Sequence, residues 1–168
     1  CNGLLEYALA PLSEISNRCY ANIGNHDIKS KEIEQCVITE LGRLNIKLLR
    51  NERVLHEFED AQIEIFGFDF IKKNKNNERS NMMKNVLTKT DGLKIVLSHD
   101  PKCFDDFDGD EGIFVVSGHC HGGHVGLYAL GYFGWINCFD IALYKWLYGG
   151  IDYAIGVFAK GKNRMYIH

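Results

Sequence analysis

The sequence predicts an α/β (α+β) fold in a single domain, and two observations carry that reading. Short apolar runs of strand length alternate with stretches of helical spacing along the 168 residues. Three of those runs also end in a histidine-bearing turn: residues 19–23 lead into Gly24-Asn25-His26-Asp27, 93–97 into Ser98-His99-Asp100-Pro101, and 112–116 into Ser117-Gly118-His119-Cys120-His121-Gly122-Gly123-His124. Ligand sites of sheets with helices on their faces gather beyond the carboxyl ends of strands. If the three strands are neighbours running the same way, their turns converge.

Taken in order, residues 4–15 carry Leu5, Leu9 and Leu12 at helical spacing, interrupted by Pro11. Residues 19–23 read as a short strand. Residues 31–44 read as an amphipathic helix, with Ile33, Cys36, Val37, Glu40 and Leu41 recurring at three and four. Three strand-like runs follow at 46–49, 54–58 and 63–68. Gln62 and Glu64 alternate there with apolar neighbours, which predicts a half-solvated stretch of sheet. Residues 72–80 form a polar, lysine- and asparagine-rich loop, 81–90 return to helix, and 93–97 and 112–116 are strands. Residues 126–149 are rich in aromatics, but Asp140 and Lys145 interrupt them and no run reaches the roughly 20 apolar residues of a membrane span. This stretch is expected to be core and loop, a lid, or a patch that meets lipid. Residues 151–158 and 164–167 flank Lys160-Gly161-Lys162-Asn163, a hairpin signal.

Composition excludes several function classes. Hydrophobic residues at 46% and charged residues at 24% fit a soluble globular domain rather than a disordered chain. A net charge of -3 gives no electrostatic reason to expect nucleic acid as a partner. Six cysteines stand without any Cys-x-x-Cys pair, which predicts reduced thiols rather than a disulfide framework.

The chemistry-bearing stretch is 117–124, with three imidazoles and three glycines. Neutral imidazole is the commonest metal ligand among side chains, and glycine lets backbone approach an ion closely. One His-x-His alone would read as a surface turn, but the two other histidine turns shift the balance. On an extended backbone the i, i+2 spacing of His119 and His121 would turn both rings to one side. Asn25, His26, Asp27, His99, His119 and His121 together offer N and O donors suited to Zn, Mn or Fe.

The ordered set Gly24-Asn25-His26-Asp27, His99 and Gly118-His119-Cys120-His121 resembles the calcineurin-like metallophosphoesterases. Leu97-Ser98-His99-Asp100-Pro101, the glycine-rich turn, Gly67-Phe68-Asp69 and the last hairpin are most similar to its YkuE-type branch. The resemblance implies a β-sandwich flanked by helices (αββα), incomplete at its amino terminus, with residues 1–168 as one partial domain. It implies two divalent ions (Mn, Zn or Fe) in the intact protein, bridged by a hydroxide that attacks phosphorus in line. By the same resemblance Asn25, His99 and His119 would ligate one ion and His121 the other. His26 would act at the leaving oxygen, with Asp27 fixing its tautomer. Cys120 is expected to point away and pack, and His124 to stand where the branch commonly has Gln. The family's leading Asp-x-His and Gly-Asp motifs do not occur, and Cys1-Asn2-Gly3 resembles the tail of the second. The chain is therefore expected to be a segment that binds at most one ion alone, with little turnover. The expected substrate is a phosphorylated small molecule or lipid-linked phosphate, with membrane contact through 126–149 or an anchor upstream of Cys1; a cytoplasmic location is equally consistent. The alternative is a scaffold on the same fold that has lost its metals.

Overall fold

The computed structural model describes residues 3–58, 61–71, 92–121, 126–128, 135–137, 153 and 155–168. Helix α1 (Leu4–Leu9) passes into a 3-10 helix over Ala10–Arg18 with Pro11 in its first turn. Proline offers no N–H and its ring crowds the turn before it, so the predicted helix continues in a tighter form.

A parallel crossover unit comes next. Strand β1 (Tyr20–Ala21) and strand β2 (Lys47–Leu48) pair in parallel, and α2 (Lys31–Arg43) makes the connection between them. Helix α2 starts where the Ser30 hydroxyl accepts the Ile33 N–H at 3.3 Å. It ends in a Schellman motif. Asn45 adopts a left-handed φ of 56, its N–H reaches the Gly42 carbonyl at 3.0 Å, and the Ile46 N–H reaches that of Leu41 at 2.9 Å. Leu41 and Ile46, the apolar pair this motif brings together, are both buried.

The main sheet has six strands in the order β3-β4-β5-β6-β10-β9. Strands β4 (Ala61–Phe68), β5 (Leu93–Ser98), β6 (Ile113–Ser117) and β10 (Asn163–Ile167) are parallel, while β3 (Glu52–Phe58) and β9 (Gly156–Lys160) pair antiparallel at the two edges. Strands β7 (Gly126–Tyr128) and β8 (Trp135–Asn137) pair separately. The chain is thus α/β (α+β), as expected, with a central sheet flanked by helices. Register places Phe68, Ser98, Ser117 and Ile167 side by side at the carboxyl end of the parallel strands.

One face of this sheet carries the core. Phe66, Phe68, Val96, Val115, Met165 and Ile167 pack there against Cys103, Phe104 and Phe107, which lie on and just after a 3-10 helix over Pro101–Asp106. The β1–β2 layer meets the opposite face at Gly67, where an added Cβ would collide with the Leu49 side chain and come within 2.9 Å of its carbonyl oxygen. No side chain fits between the layers at that point.

Four expectations need correction. Strands β5 and β6 are neighbours in one sheet, but β1 belongs to the smaller sheet. Gln62 is exposed as expected, whereas Glu64 is buried, because it stands opposite Lys94 with the Arg53 guanidinium 3.8 Å away. Cys36 is disulfide-bonded, although Cys19, Cys103 and Cys120 carry thiols as expected; spacing along the chain does not reveal which thiols meet in space. The last hairpin forms, but its first strand begins only at Gly156. The loop expected at 72–80, the helix expected at 81–90, His124 and most of the aromatic stretch lie outside the described residues. Among the described residues, no helix is long and apolar enough to cross a membrane.

Candidate metal centre

His99 follows Ser98 at the end of β5 and is fixed from both sides. The Ser117 hydroxyl, at the end of β6, donates to the Ser98 carbonyl at 2.7 Å and lies 3.1 Å from that of His99. After it, Asp100 caps the 3-10 helix by accepting the Lys102 N–H at 3.0 Å. The His99 ring projects from this frame towards the loop that follows β1. Gly24 lies directly beneath it, since a Cβ there would come within 2.9 Å of Nδ1 and 3.0 Å of Cε1. Only a residue without a side chain permits that approach.

Two of the predicted donors meet His99. The Asn25 amide oxygen lies 2.7 Å from His99 Nε2, and His119 Nδ1 lies 2.9 Å from the same nitrogen. The two imidazoles are 4.6 Å apart between centroids. Three turns separated by 74 and 20 residues along the chain thus bring an amide oxygen and two ring nitrogens together. Convergence across two sheets replaces the expected convergence within one.

The remaining candidates are placed differently. His26 is exposed on the Asn25 loop. The Asp27 carboxylate accepts the Gly24 N–H at 2.8 Å, a bond that closes the loop on itself. His121 is exposed, and the backbone there is not extended. His119 has a φ of 71 and His121 a φ of 48, both left-handed and costly for a residue with a Cβ. The extended backbone on which alternation would aim both rings to one side is not present here, because β6 has already ended at Ser117. Cys120 is buried and packs, as expected, and burial, followed by the charge of Asp100, pushes its thiol up.

Electrostatics favours the neutral form of the His99 ring. Burial first, and then the neighbouring His119, holds its imidazole below the usual histidine range, while Asp27 and Asp100 pull the other way. The neutral ring is the form that binds a cation. Donors at right angles on an ion about 2.1 Å away stand roughly 3 Å apart, and the separations of 2.7 and 2.9 Å around His99 Nε2 fall close to that value. The donor set therefore has, through His99 Nε2, two separations that suit adjacent ligands of one divalent ion. It is short of a complete site: among the described residues, no group of three or more His, Cys, Asp and Glu side chains could hold a metal ion.

Sequence reasoning missed Phe70, whose ring touches both His99 and His119. Its only signal was its place just after β4, a parallel neighbour of β5.

The chain is 33% identical over 110 residues to a Bacillus subtilis (strain 168) protein called uncharacterized metallophosphoesterase YkoQ. That match covers 63% of this chain and 38% of the relative's length. No family model matches the chain, and no solved structure matches it.

Proposed function

We propose that this chain carries part of the metal centre of a metal-dependent phosphoester hydrolase. The observation behind this reading is the meeting of Asn25, His99 and His119 at His99 Nε2. The likeness to a protein named as a metallophosphoesterase supports the reaction class. On this reading the amide oxygen of Asn25, Nε2 of His99 and Nδ1 of His119 hold one divalent ion. A second ion, held in part by His121, would complete a dinuclear pair of the kind expected in the YkuE-type branch.

Bound divalent metal supplies Lewis-acid polarisation of the phosphoryl oxygens and a nucleophile at neutral pH. The chain's own residues supply the rest. Asn25 contributes a neutral oxygen donor that adds no negative charge against the phosphate. Asp27 holds the Gly24–Asn25 turn closed through the Gly24 N–H. On this reading His26, exposed on the same loop, gives a proton to the leaving oxygen. Ser117 keeps the His99 backbone in place through the Ser98 and His99 carbonyls.

The test is manganese-dependent hydrolysis of an aryl phosphodiester by the full-length protein that contains this chain. Activity abolished by His99→Ala and by His119→Ala is expected, and absence of any metal-dependent turnover in the unmutated protein refutes the reading. The 168-residue chain alone should bind no more than one ion by calorimetry; two tight sites would contradict the ligand assignment. A second reading, a metal-free scaffold, draws on the absence of a three-member His, Cys, Asp and Glu group among the described residues. The coding sequence upstream of Cys1 separates the two, because a Gly-Asp pair whose Asp lies two residues before Cys1 supports the enzyme.

A further inference from the structure

Register brings the end of β4 level with the ends of β5 and β6, so Asp69 and Phe70 leave the sheet beside His99 and His119. The Phe70 ring meets the His99 imidazole edge-on, with centroids 5.7 Å apart and planes at 79°, and lies 5.8 Å from the His119 ring at 44°. One aromatic side chain therefore borders both imidazoles of the candidate centre.

Consecutive polar contacts fix the backbone that carries it. Asn22 Nδ2 donates to the Phe68 carbonyl at 3.2 Å, the Asp69 N–H donates to Asn51 Oδ1 at 2.9 Å, and the Phe70 N–H donates to the Ile23 carbonyl at 3.1 Å. The Asp69 carboxylate is gripped by Arg50 through Nε at 2.9 Å and Nη2 at 2.7 Å, and Arg50 in turn reaches Glu34 on α2 at 2.5 Å. Ile23 lies two residues before Asn25. The strap thus ties Phe70 to the loop that supplies the amide-oxygen donor.

An imidazole's second torsion is broad, with no sharp staggered wells to hold the ring. Backbone hydrogen bonds around His99 place its Cα and leave the plane of the ring to its side contacts. We propose that Phe70 is a positioning residue that wedges the His99 and His119 rings into the orientation that presents Nε2 and Nδ1 to a cation. Gly24 confines the His99 ring from one side and Phe70 meets it edge-on. The role in cation binding rests on the metal-centre reading above, whereas the wedge itself stands on the ring contacts alone.

The experiment compares the wild-type 168-residue chain with Phe70→Leu, which keeps apolar volume without a ring, and Phe70→Tyr, which restores the ring. Zinc affinity by calorimetry is expected to fall about ten- to a hundredfold in Phe70→Leu, the usual loss when a ligand's supporting contact is removed. Phe70→Tyr should stay within about threefold of wild type, while both variants keep the wild-type circular dichroism spectrum. In the metal-free chain, NMR should show cross-relaxation from the Phe70 ring to both imidazoles in the wild type, and displaced ring-proton shifts of His99 and His119 in Phe70→Leu. Unchanged zinc affinity in Phe70→Leu, or absence of the two cross-peaks in the wild type, overturns the proposal. If the wild-type chain binds no zinc, the cation-binding role falls with the metal reading, and the metal-free cross-peaks still decide whether the wedge exists.

Discussion

Replacing Gly24 with alanine tests the candidate centre at the point where the structure leaves least room. The added Cβ would stand 2.9 Å from His99 Nδ1, 3.0 Å from Cε1 and 3.1 Å from Cγ. Non-bonded heavy atoms are comfortable at about 3.5 Å or more, so ring or loop must retreat by roughly 0.5 Å. Functional donors must be held within about 0.5 Å of their working positions, and the retreat would open the 2.7 Å contact between His99 Nε2 and the Asn25 amide oxygen. Zinc or manganese affinity should therefore drop about ten- to a hundredfold. Folding stability should fall by about 1–3 kcal/mol, the usual range for overpacking. Calorimetry gives the first number and urea unfolding the second. Gly42→Ala is the matched control: the added Cβ meets nothing within 4 Å on helix α2, so stability should rise by about 0.5–1 kcal/mol with affinity unchanged. Wild-type affinity in Gly24→Ala would refute the claim that the His99 ring must sit where it does.

Two further predictions concern the frame around the site. Gly67→Ala forces a methyl group into Leu49 between the two layers. It should cost at least about 1–3 kcal/mol in urea unfolding, and a neutral result would show that the layers are not in contact there. Glu111 accepts N–H groups from Asp108 at 2.7 Å and Gly109 at 2.8 Å, and from the buried Asn163 amide at 2.7 Å. Burial pushes its carboxyl up, but these bonds outweigh it and hold the group below the usual glutamate range. As pH falls, the unfolded chain therefore takes up the proton first, so the stabilisation is complete above the unfolded value and disappears as pH falls through the folded one. Glu111→Gln should lose about 1 kcal/mol at pH 7, allowing for solvent screening. The gap should narrow on acidification below about pH 4, and a gap unchanged down to pH 3 would contradict the assignment.

Much of the fold could be read from local signals. The α2 helix carries its periodicity, its serine cap and its acidic first turn in consecutive residues, and the last hairpin is marked by Gly161, which has a φ of 58. The strand-then-histidine turns pointed to Asn25, His99 and His119, which the structure brings together, because each turn depends only on where a strand stops. What escaped was anything set by pairing between distant segments. That β1 pairs with β2 instead of joining β5 and β6 goes with the packing of distant segments, Leu49 on Gly67 among them. Burial of Glu64 depends on Lys94 and Arg53 lying beside it, and neither is near it in sequence. The left-handed turns at His119 and His121 were hidden for a different reason: glycines usually take such conformations, and here histidines do.

The donors of the candidate centre sit on opposite sides of a seam. Asn25 rides with the small β1–β2 layer, whereas His99 and His119 ride with the large one. A cation gripped by all three would act as a rivet, and sliding of one layer past the other would pull its ligands apart. Its arrival should therefore slow amide exchange in β1 and β5 together, although the two strands share no ladder.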